Sequence, residues 1–307
     1  MDGRAERVLV AGATGYLGRR LVPRLVARGR RVRALVRGGA ARAAGLAHLA
    51  GCEIADGDLA DAASCRRAAR GVDTIVHLVG IIRETATATF ESVHVGGTVA
   101  LVQAARHSGV SRFLYVSALG ARPDAPGPYA RTKAEAERIV RDSGLTWLVL
   151  RPSIVFARDG EFYGILDQLT RFGVVPVLGP GRAPMSPIRA DDLADLEAAA
   201  LDRPAAWNRA WDVCGPEAIP FVVLLRRVAR GRGRPFLAVH VPLWIARPGV
   251  ELASRLLPHP PITPDQLTML EAGSACDPAP VARAFGVTPG SVDDVIGDRP
   301  ARAREAA

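Results

Sequence analysis

Two residues one helical turn apart, Tyr129 and Lys133, are the part of this chain best suited to do chemistry. They stand in the run Tyr129-Ala130-Arg131-Thr132-Lys133, and a spacing of four puts both on one helix face. Lys133 is the sole lysine: of 40 basic side chains, the other 39 are arginine. A guanidinium is a rigid planar fork, whereas an ammonium is a compact charge whose three donors rotate. A site that sets a small cation beside a phenol selects lysine and rejects arginine. A phenol, with a pKa of about 10, is a poor base at neutral pH, and a nearby cation favours its anion. The plain alternative is a leftover lysine on a solvated helix beside an unrelated tyrosine, which a single lysine in 307 residues makes a rare coincidence.

A second constellation lies near the start, where an apolar strand runs into Gly12-Ala13-Thr14-Gly15-Tyr16-Leu17-Gly18 and then a helix. Glycines here allow a tight turn, close backbone approach to a pyrophosphate, and tight helix–strand packing. The helix N-terminus offers N–H groups and positive dipole to phosphates. Gly12, Thr14, Gly15, Tyr16, Leu17 and Gly18 are therefore expected to bind a dinucleotide. The end of the next strand selects the cofactor. It reads Ala34-Leu35-Val36-Arg37-Gly38, without the acid that pairs with the ribose hydroxyls of NAD. Arg37, helped by Arg42, can instead grip a 2′-phosphate, so NADP is expected ahead of NAD. Asp58 and Leu59 follow the third strand and are expected at the adenine; Leu78, Val79 and Gly80 follow the fourth and are expected to flank the ribose and pyrophosphate.

These groups need a frame. Apolar runs predict strands over 7–11, 32–36, 52–55, 73–79, 112–117 and 146–150, with helices over 16–28, 62–70, 92–107 and 129–142. The strands are continuous apolar runs without alternation, which implies burial on both faces of a parallel sheet. Repeated strand–helix units of this kind predict an α/β, doubly wound fold. Proline marks a change: four of 23 lie in 1–150 and nineteen beyond. The expected division is a dinucleotide-binding domain over 1–150, a smaller substrate lobe over 151–300 built at the sheet's carboxyl edge, and a frayed tail over 301–307. In that lobe, helices are expected over 162–171, 191–201 and 220–230, and a strand over 210–214.

Bulk properties exclude several classes. No apolar run reaches the ~18 residues of a membrane span, and the opening residues lack a signal peptide's apolar stretch and cleavage site. Cys52, Cys65, Cys214 and Cys276 are widely spaced and read as separate thiols in a reducing compartment, hence the cytoplasm. The 6 histidines form no ligand cluster, and no metal is expected. Net charge is +9, but aromatics are only 5% and are not interleaved with basic residues, so nucleic acid is an unlikely partner.

The glycine spacing, Asp58-Leu59 and Tyr129-x-x-x-Lys133 together resemble the short-chain dehydrogenase/reductase superfamily, in its extended or atypical branches. Arg151-Pro152-Ser153, Pro187-Ile188-Arg189-Ala190-Asp191-Asp192 and Gly215-Pro216-Glu217 look like landmarks of that branch, and Pro152 joins the cofactor-binding set. The segments His77-Leu78-Val79-Gly80-Ile81-Ile82-Arg83-Glu84 and Val116-Ser117-Ala118-Leu119-Gly120-Ala121 are similar to bacterial relatives of the NADPH-binding accessory subunit of respiratory complex I. The resemblance implies a Rossmann fold, with Tyr129 as general acid/base, Lys133 holding the nicotinamide ribose and lowering the phenol's pKa, and Ser117 orienting the substrate oxygen. Two positions depart from the pattern. Ala118 stands where Ser or Thr is frequent, and His94 stands where many members carry Asn.

Two functions follow as expectations. One is an NADP-dependent oxidoreductase, or a related epimerase or dehydratase, acting on a carbonyl or alcohol. Phe162, Tyr163, Met185 and Trp244 would suit an apolar, quinone- or isoprenoid-like substrate, with ordinary lobe packing the simpler reading of each. The other is a non-catalytic NADPH-binding accessory or assembly protein of a respiratory membrane complex. There, segment 243–257 would lie on the membrane's inner face or on a partner, unless Pro248 and Gly249 split it into two packed helices.

Overall fold

Six strand ends carry the expected site, and buried apolar runs build most of them. The computed structural model describes residues 5–43, 45–257 and 260–297; the expected frayed tail lies outside them. In chain order come β1 (Arg7–Ala11), α1 (Gly18–Ala27), β2 (Arg31–Val36), β3 (Cys52–Asp56), α2 (Ala62–Ala69), β4 (Thr74–His77), α3 (Gly97–His107), β5 (Arg112–Val116), α4 (Pro128–Arg141) and β6 (Thr146–Pro152). Then follow β7 (Val155–Phe156), α5 (Glu161–Leu169), β8 (Val174–Leu178), β9 (Pro184–Met185), β10 (Ile188–Arg189), α6 (Ala190–Ala200) and β11 (Arg209–Val213). The remainder is β12 (Ile219–Pro220), α7 (Phe221–Gly231), β13 (Leu237–Val241), α8 (Leu243–Leu256), α9 (Pro264–Ala272), α10 (Ala279–Phe285) and α11 (Val292–Gly297).

The described residues fall into two compact units. The first takes in those up to Pro152, with Ala194–Asp212 and Pro280–Val287; the second takes in Ser153–Leu193, Val213–Ala279 and those from Thr288 onward.

In the first unit the strands form one sheet in the order β11-β6-β5-β4-β1-β2-β3, and β1 to β6 pair in parallel. This is the doubly wound order, with its reversal at β1. All four residues of β4 are buried, as are the last four of β1 and of β5, so the absence of alternation in these runs is real. Leu9, Ile75, Phe113 and Val149 pack with Leu101 and Val140 of the flanking helices in one core cluster. Each such side chain contributes about 1.5–3 kcal/mol.

The second unit is assembled from scraps of sheet: β7 with β10, β9 with β12, and β8 with β13. Its core gathers Phe156, Tyr163, Leu166, Met185, Leu224 and Ile296. Tyr163 and Met185 are thus core residues, and Phe162 packs partly buried against them. Only Trp244 of the apolar four stands out in solvent.

Two expectations are corrected in this unit. Cys214 and Cys276 form a disulfide, with Cα atoms 6.0 Å apart and 62 residues of separation, while Cys52 and Cys65 are free. Ser186 explains the approach: its N–H donates to Ser274 O (2.7 Å), and its carbonyl accepts from Gly215 N (3.0 Å). That segment draws both cysteine neighbourhoods together, which spacing along the chain cannot reveal. The compartment argument built on four separate thiols falls with it. The second correction is α8, a single helix that runs through Pro248. Pro248 is exposed, so water can satisfy the carbonyl it leaves without a donor. No described helix is long and apolar enough to cross a membrane.

Candidate active site

The first unit brings its glycine loop and the ends of β4, β5 and β6 to one edge of the sheet. β1 lies between β2 and β4, with Ala11 opposite both Leu35 and His77. Gly12 has a φ of +87°, a left-handed conformation costly to other residues, and an added Cβ there would lie 3.2 Å from Val79 and 3.3 Å from Leu78. Gly15 N donates to Gly12 O at 3.0 Å, which closes the turn. A Cβ on Gly18 would come 2.2 Å from Gly12 O and 2.5 Å from Ala13, all backbone atoms that cannot step aside. The helix starts at Gly18, two residues later than the expected Tyr16, so Thr14, Tyr16 and Leu17 belong to the loop. Arg20 covers the Tyr16 ring at 4.6 Å from its centroid.

Beside the loop, Arg37 leaves β2 with its side chain exposed, Nη1 3.8 Å from Asp58 Oδ2. Asp56 Oδ1 accepts from Gly38 N (3.1 Å) and fixes that turn. The stem of Arg42 lies against Gly38, 3.1 Å from where a Cβ would stand. Two arginines therefore flank one glycine turn, with Asp58 next to it. Leu59 points elsewhere: it packs into the core and against Gly97.

The helix carrying the tyrosine and lysine starts at Pro128, whose fixed φ suits the first helical position. Tyr129 is half-buried, its ring edge-on to Phe90 (5.7 Å) and His94 (5.4 Å). Lys133 is 4% exposed, and its Nζ donates to Val116 O at 3.1 Å. An ammonium has three donors, so two remain without a hydrogen bond among the described residues. Nζ lies 3.0 Å from where a Cβ on Gly80 would be, so a side chain there would press on the ammonium. Burial lowers the Lys133 pKa to about 8, against the opposing pull of Glu137. Glu137 is buried too, held by Arg151 (2.7 Å) and Arg141 (2.8 Å).

Ser117 follows β5, 4% exposed, its N–H donating to Leu150 O at 2.7 Å. Its Oγ is buried and makes no hydrogen bond among the described residues. A buried hydroxyl without a partner is costly, and such orphans are uncommon except where a ligand completes the site. Pro152, buried at the end of β6, accepts from Leu119 N at 2.9 Å. The glycine cradle, the two uncommitted donors of Lys133 and the orphan hydroxyl of Ser117 fit a nicotinamide dinucleotide.

A layer of contacts behind Tyr129 was not legible in the chain. His94 sits in a π-helical turn, Glu91–Gly96, of a kind frequent at functional sites. Its Nδ1 meets Thr132 Oγ1 at 2.9 Å, and its Nε2 meets both the N (3.2 Å) and O (3.1 Å) of Ile81. One tautomer donates to Ile81 O and the other accepts from Ile81 N–H, so a neutral ring holds this strand end either way. Thr98 Oγ1 links His94 O (2.6 Å) to His77 Nε2 (3.1 Å). Burial, reinforced by the Lys133 charge, drives both imidazoles down to about 3, so they stay neutral. The departure from Asn at position 94 is thus a working part of the packing. Its one signal in the sequence is a histidine four residues before a threonine.

Known proteins resemble this chain. Residues 12–204 match the family described as NAD(P)H-binding. A ceramide reductase from Caulobacter vibrioides is 34% identical over 56% of this chain, which spans only 53% of that relative. An NAD(P)H azoreductase from Xenophilus azovorans is 30% identical, covering 78% of this chain and 79% of its own. Subunit 9 of the NADH dehydrogenase (ubiquinone) 1 alpha subcomplex from Mus musculus is 28% identical over 77% of this chain and 64% of its own. Among solved structures, an NADPH-dependent quinone oxidoreductase from Escherichia coli, complexed with NADPH, has a TM-score of 0.76 at 19% identity, covering 94% of this chain and 98% of its own. The chain belongs to the NAD(P)H-binding family.

Proposed function

We propose that the protein is an NADP-dependent reductase or dehydrogenase of a carbonyl or alcohol on an apolar substrate. One observation carries this reading: a buried ammonium with two uncommitted donors stands one helical turn from a half-buried phenol, in the same unit as an orphan serine hydroxyl. The bound nicotinamide would supply or accept the hydride. Gly12, Thr14, Gly15, Tyr16, Leu17 and Gly18 hold the pyrophosphate with backbone N–H groups. Arg37, helped by Arg42, grips a 2′-phosphate, which is the basis for NADP over NAD. Asp58 borders the adenine, and Leu78, Val79, Gly80 and Pro152 flank the ribose and nicotinamide. Lys133 holds the ribose hydroxyls and, still mostly protonated at pH 7, favours the Tyr129 phenolate. Tyr129 passes the proton to or from the substrate oxygen, and Ser117 orients that oxygen.

The substrate class rests on the relatives' names, which specify a ceramide and an azo compound, and on the quinone in the name of the structural neighbour. A second reading, a cofactor-bound accessory protein of a respiratory complex, is favoured by likeness to the mouse subunit. Bound NADPH would then stabilise the fold through linkage without reacting. NADPH oxidation against a panel of long-chain ketones and quinones separates the two. Under the first reading, Tyr129→Phe lowers kcat roughly 10²–10⁴-fold and leaves NADPH affinity intact. Arg37→Ala weakens NADPH about tenfold or more and spares NADH. Turnover indifferent to Tyr129→Phe would sink the mechanism, and absence of turnover on the whole panel favours the accessory reading.

A further inference from the structure

The solvent face of α8 is built the wrong way round for a water-soluble helix. Trp244, Ile245, Pro248, Leu252 and Leu256 are all exposed, with Trp244 at 76% and Leu256 at 70%. Steps of three and four gather them into one stripe. The opposite side buries only Ala246 and Val250. An ordinary surface helix puts its apolar stripe inward, and a contiguous exposed one marks an interaction site. Charges frame the stripe. Arg255 borders it and forms no ion pair among the described residues, while Arg247, paired with Glu271, and the exposed Glu251 lie along the same border.

The same unit repeats the pattern on a sheet. Val174 and Leu237 are opposite each other in the β8–β13 pair, both exposed, with exposed Pro176 and Val239 one step along. Phe172, 83% exposed, precedes them, and Arg171 stacks on it at 5.6 Å. Arg171, Arg226 and Arg230 also lack ion pairs among the described residues, whereas Arg189, Arg227, Arg232, Arg234 and Arg247 of this unit have acidic partners.

We propose that α8 lies on a bilayer containing anionic lipid, with Trp244, Ile245, Leu252 and Leu256 in the interface and Arg255 among the headgroups. The unpaired Arg255 beside an outward apolar stripe complements an anionic lipid surface, and an indole at the stripe's polar border suits the headgroup level. The stripe is a convex helix face, which a fluid surface accepts without shape complementarity. A 14-residue helix is ~21 Å long, so it rests on the membrane and does not cross it.

The test is flotation of the full chain with vesicles of phosphatidylcholine, with and without phosphatidylglycerol, alongside tryptophan emission. The expected result is flotation with anionic vesicles, weakened by salt, and a blue shift of emission. Trp244→Phe abolishes most of the shift, because Trp147, Trp207 and Trp211 are already partly or wholly covered. Leu252→Gln with Leu256→Gln lowers partitioning roughly tenfold or more, with melting temperature and nucleotide affinity unchanged. The proposal is overturned by any of four outcomes: no flotation, equal flotation on both vesicles, flotation indifferent to the double substitution, or a lipid-free dimer that itself shifts Trp244 emission.

Discussion

The two units use the same amino acids for opposite ends. In the first, Ile82 is the only large hydrophobic exposed among the described residues; in the second there are ten, from Phe172 to Met269. The first unit turns charge inward. Arg30, 8% exposed, bridges Glu6 and Asp202, and Arg112 also reaches Glu6. Arg151 and Arg141 close on buried Glu137, four residues from Lys133. The second unit has short strands, a disulfide and greasy outer faces. A large continuous sheet can bury its apolar residues and still house costly polar ones. A unit whose strands come only in short pairs, four of them two residues long, has less interior and leaves more outside.

Four measurements would break or sharpen that contrast. Leu114→Ala, at a fully buried position of β5, should cost about 2–5 kcal/mol in urea unfolding; a smaller loss would mean the first core is looser than its burial implies. Reduction, or Cys214→Ser with Cys276→Ser, should cost on the order of 2–4 kcal/mol, since the bridge closes a loop of 62 residues. Thiol titration after denaturation, with and without reductant, checks that the bond exists. An unchanged melting curve on reduction would remove the staple from the comparison.

The third concerns Glu197 in α6, whose two oxygens are buried without a hydrogen bond among the described residues. Burial raises its pKa to about 8, although Arg24 pulls the other way. Unfolded, a glutamate releases its proton near pH ~4.3. Between those values the unfolded state binds fewer protons, so stability falls as pH rises from about 4.5 to 8 and then levels. Glu197→Gln should therefore gain nothing at pH 4 and on the order of 2–4 kcal/mol by pH 8. A gain that does not vary with pH refutes the titration. The smallest effect belongs to the outer face: Leu256→Gln should change stability by less than about 0.5 kcal/mol. A large loss there would show that the stripe is packed, not presented.

Much of the first unit could be read from residue order because its signals are local. Continuous apolar runs mark β1, β4 and β5, glycines mark the loop, and a spacing of four marks Tyr129 and Lys133. What escaped was made by distant pairs. Nothing near His94 announces Ile81 or Thr132, and Ser117 is recognisable as an orphan only once its surroundings are known. In the second unit, strands such as β7, β9, β10 and β12 are two residues long and have no periodicity to detect. The disulfide depends on Ser186 drawing two remote segments together, and α8 on a proline whose exposed side hides its defect.

The scarcity of lysine has a practical consequence. Lys133 is the only side-chain amine in the chain, and it is buried. With burial holding its pKa at about 8, about half of these amines are neutral and nucleophilic near pH 8 while the site keeps its native surroundings. An acylating reagent would thus have a single internal target whose reactivity depends on access alone. The rate at which the Lys133 peptide gains mass becomes a clock for opening of this corner of the protein, slowed by any ligand that holds the ammonium. The molecule carries its own reporter, with no label to engineer.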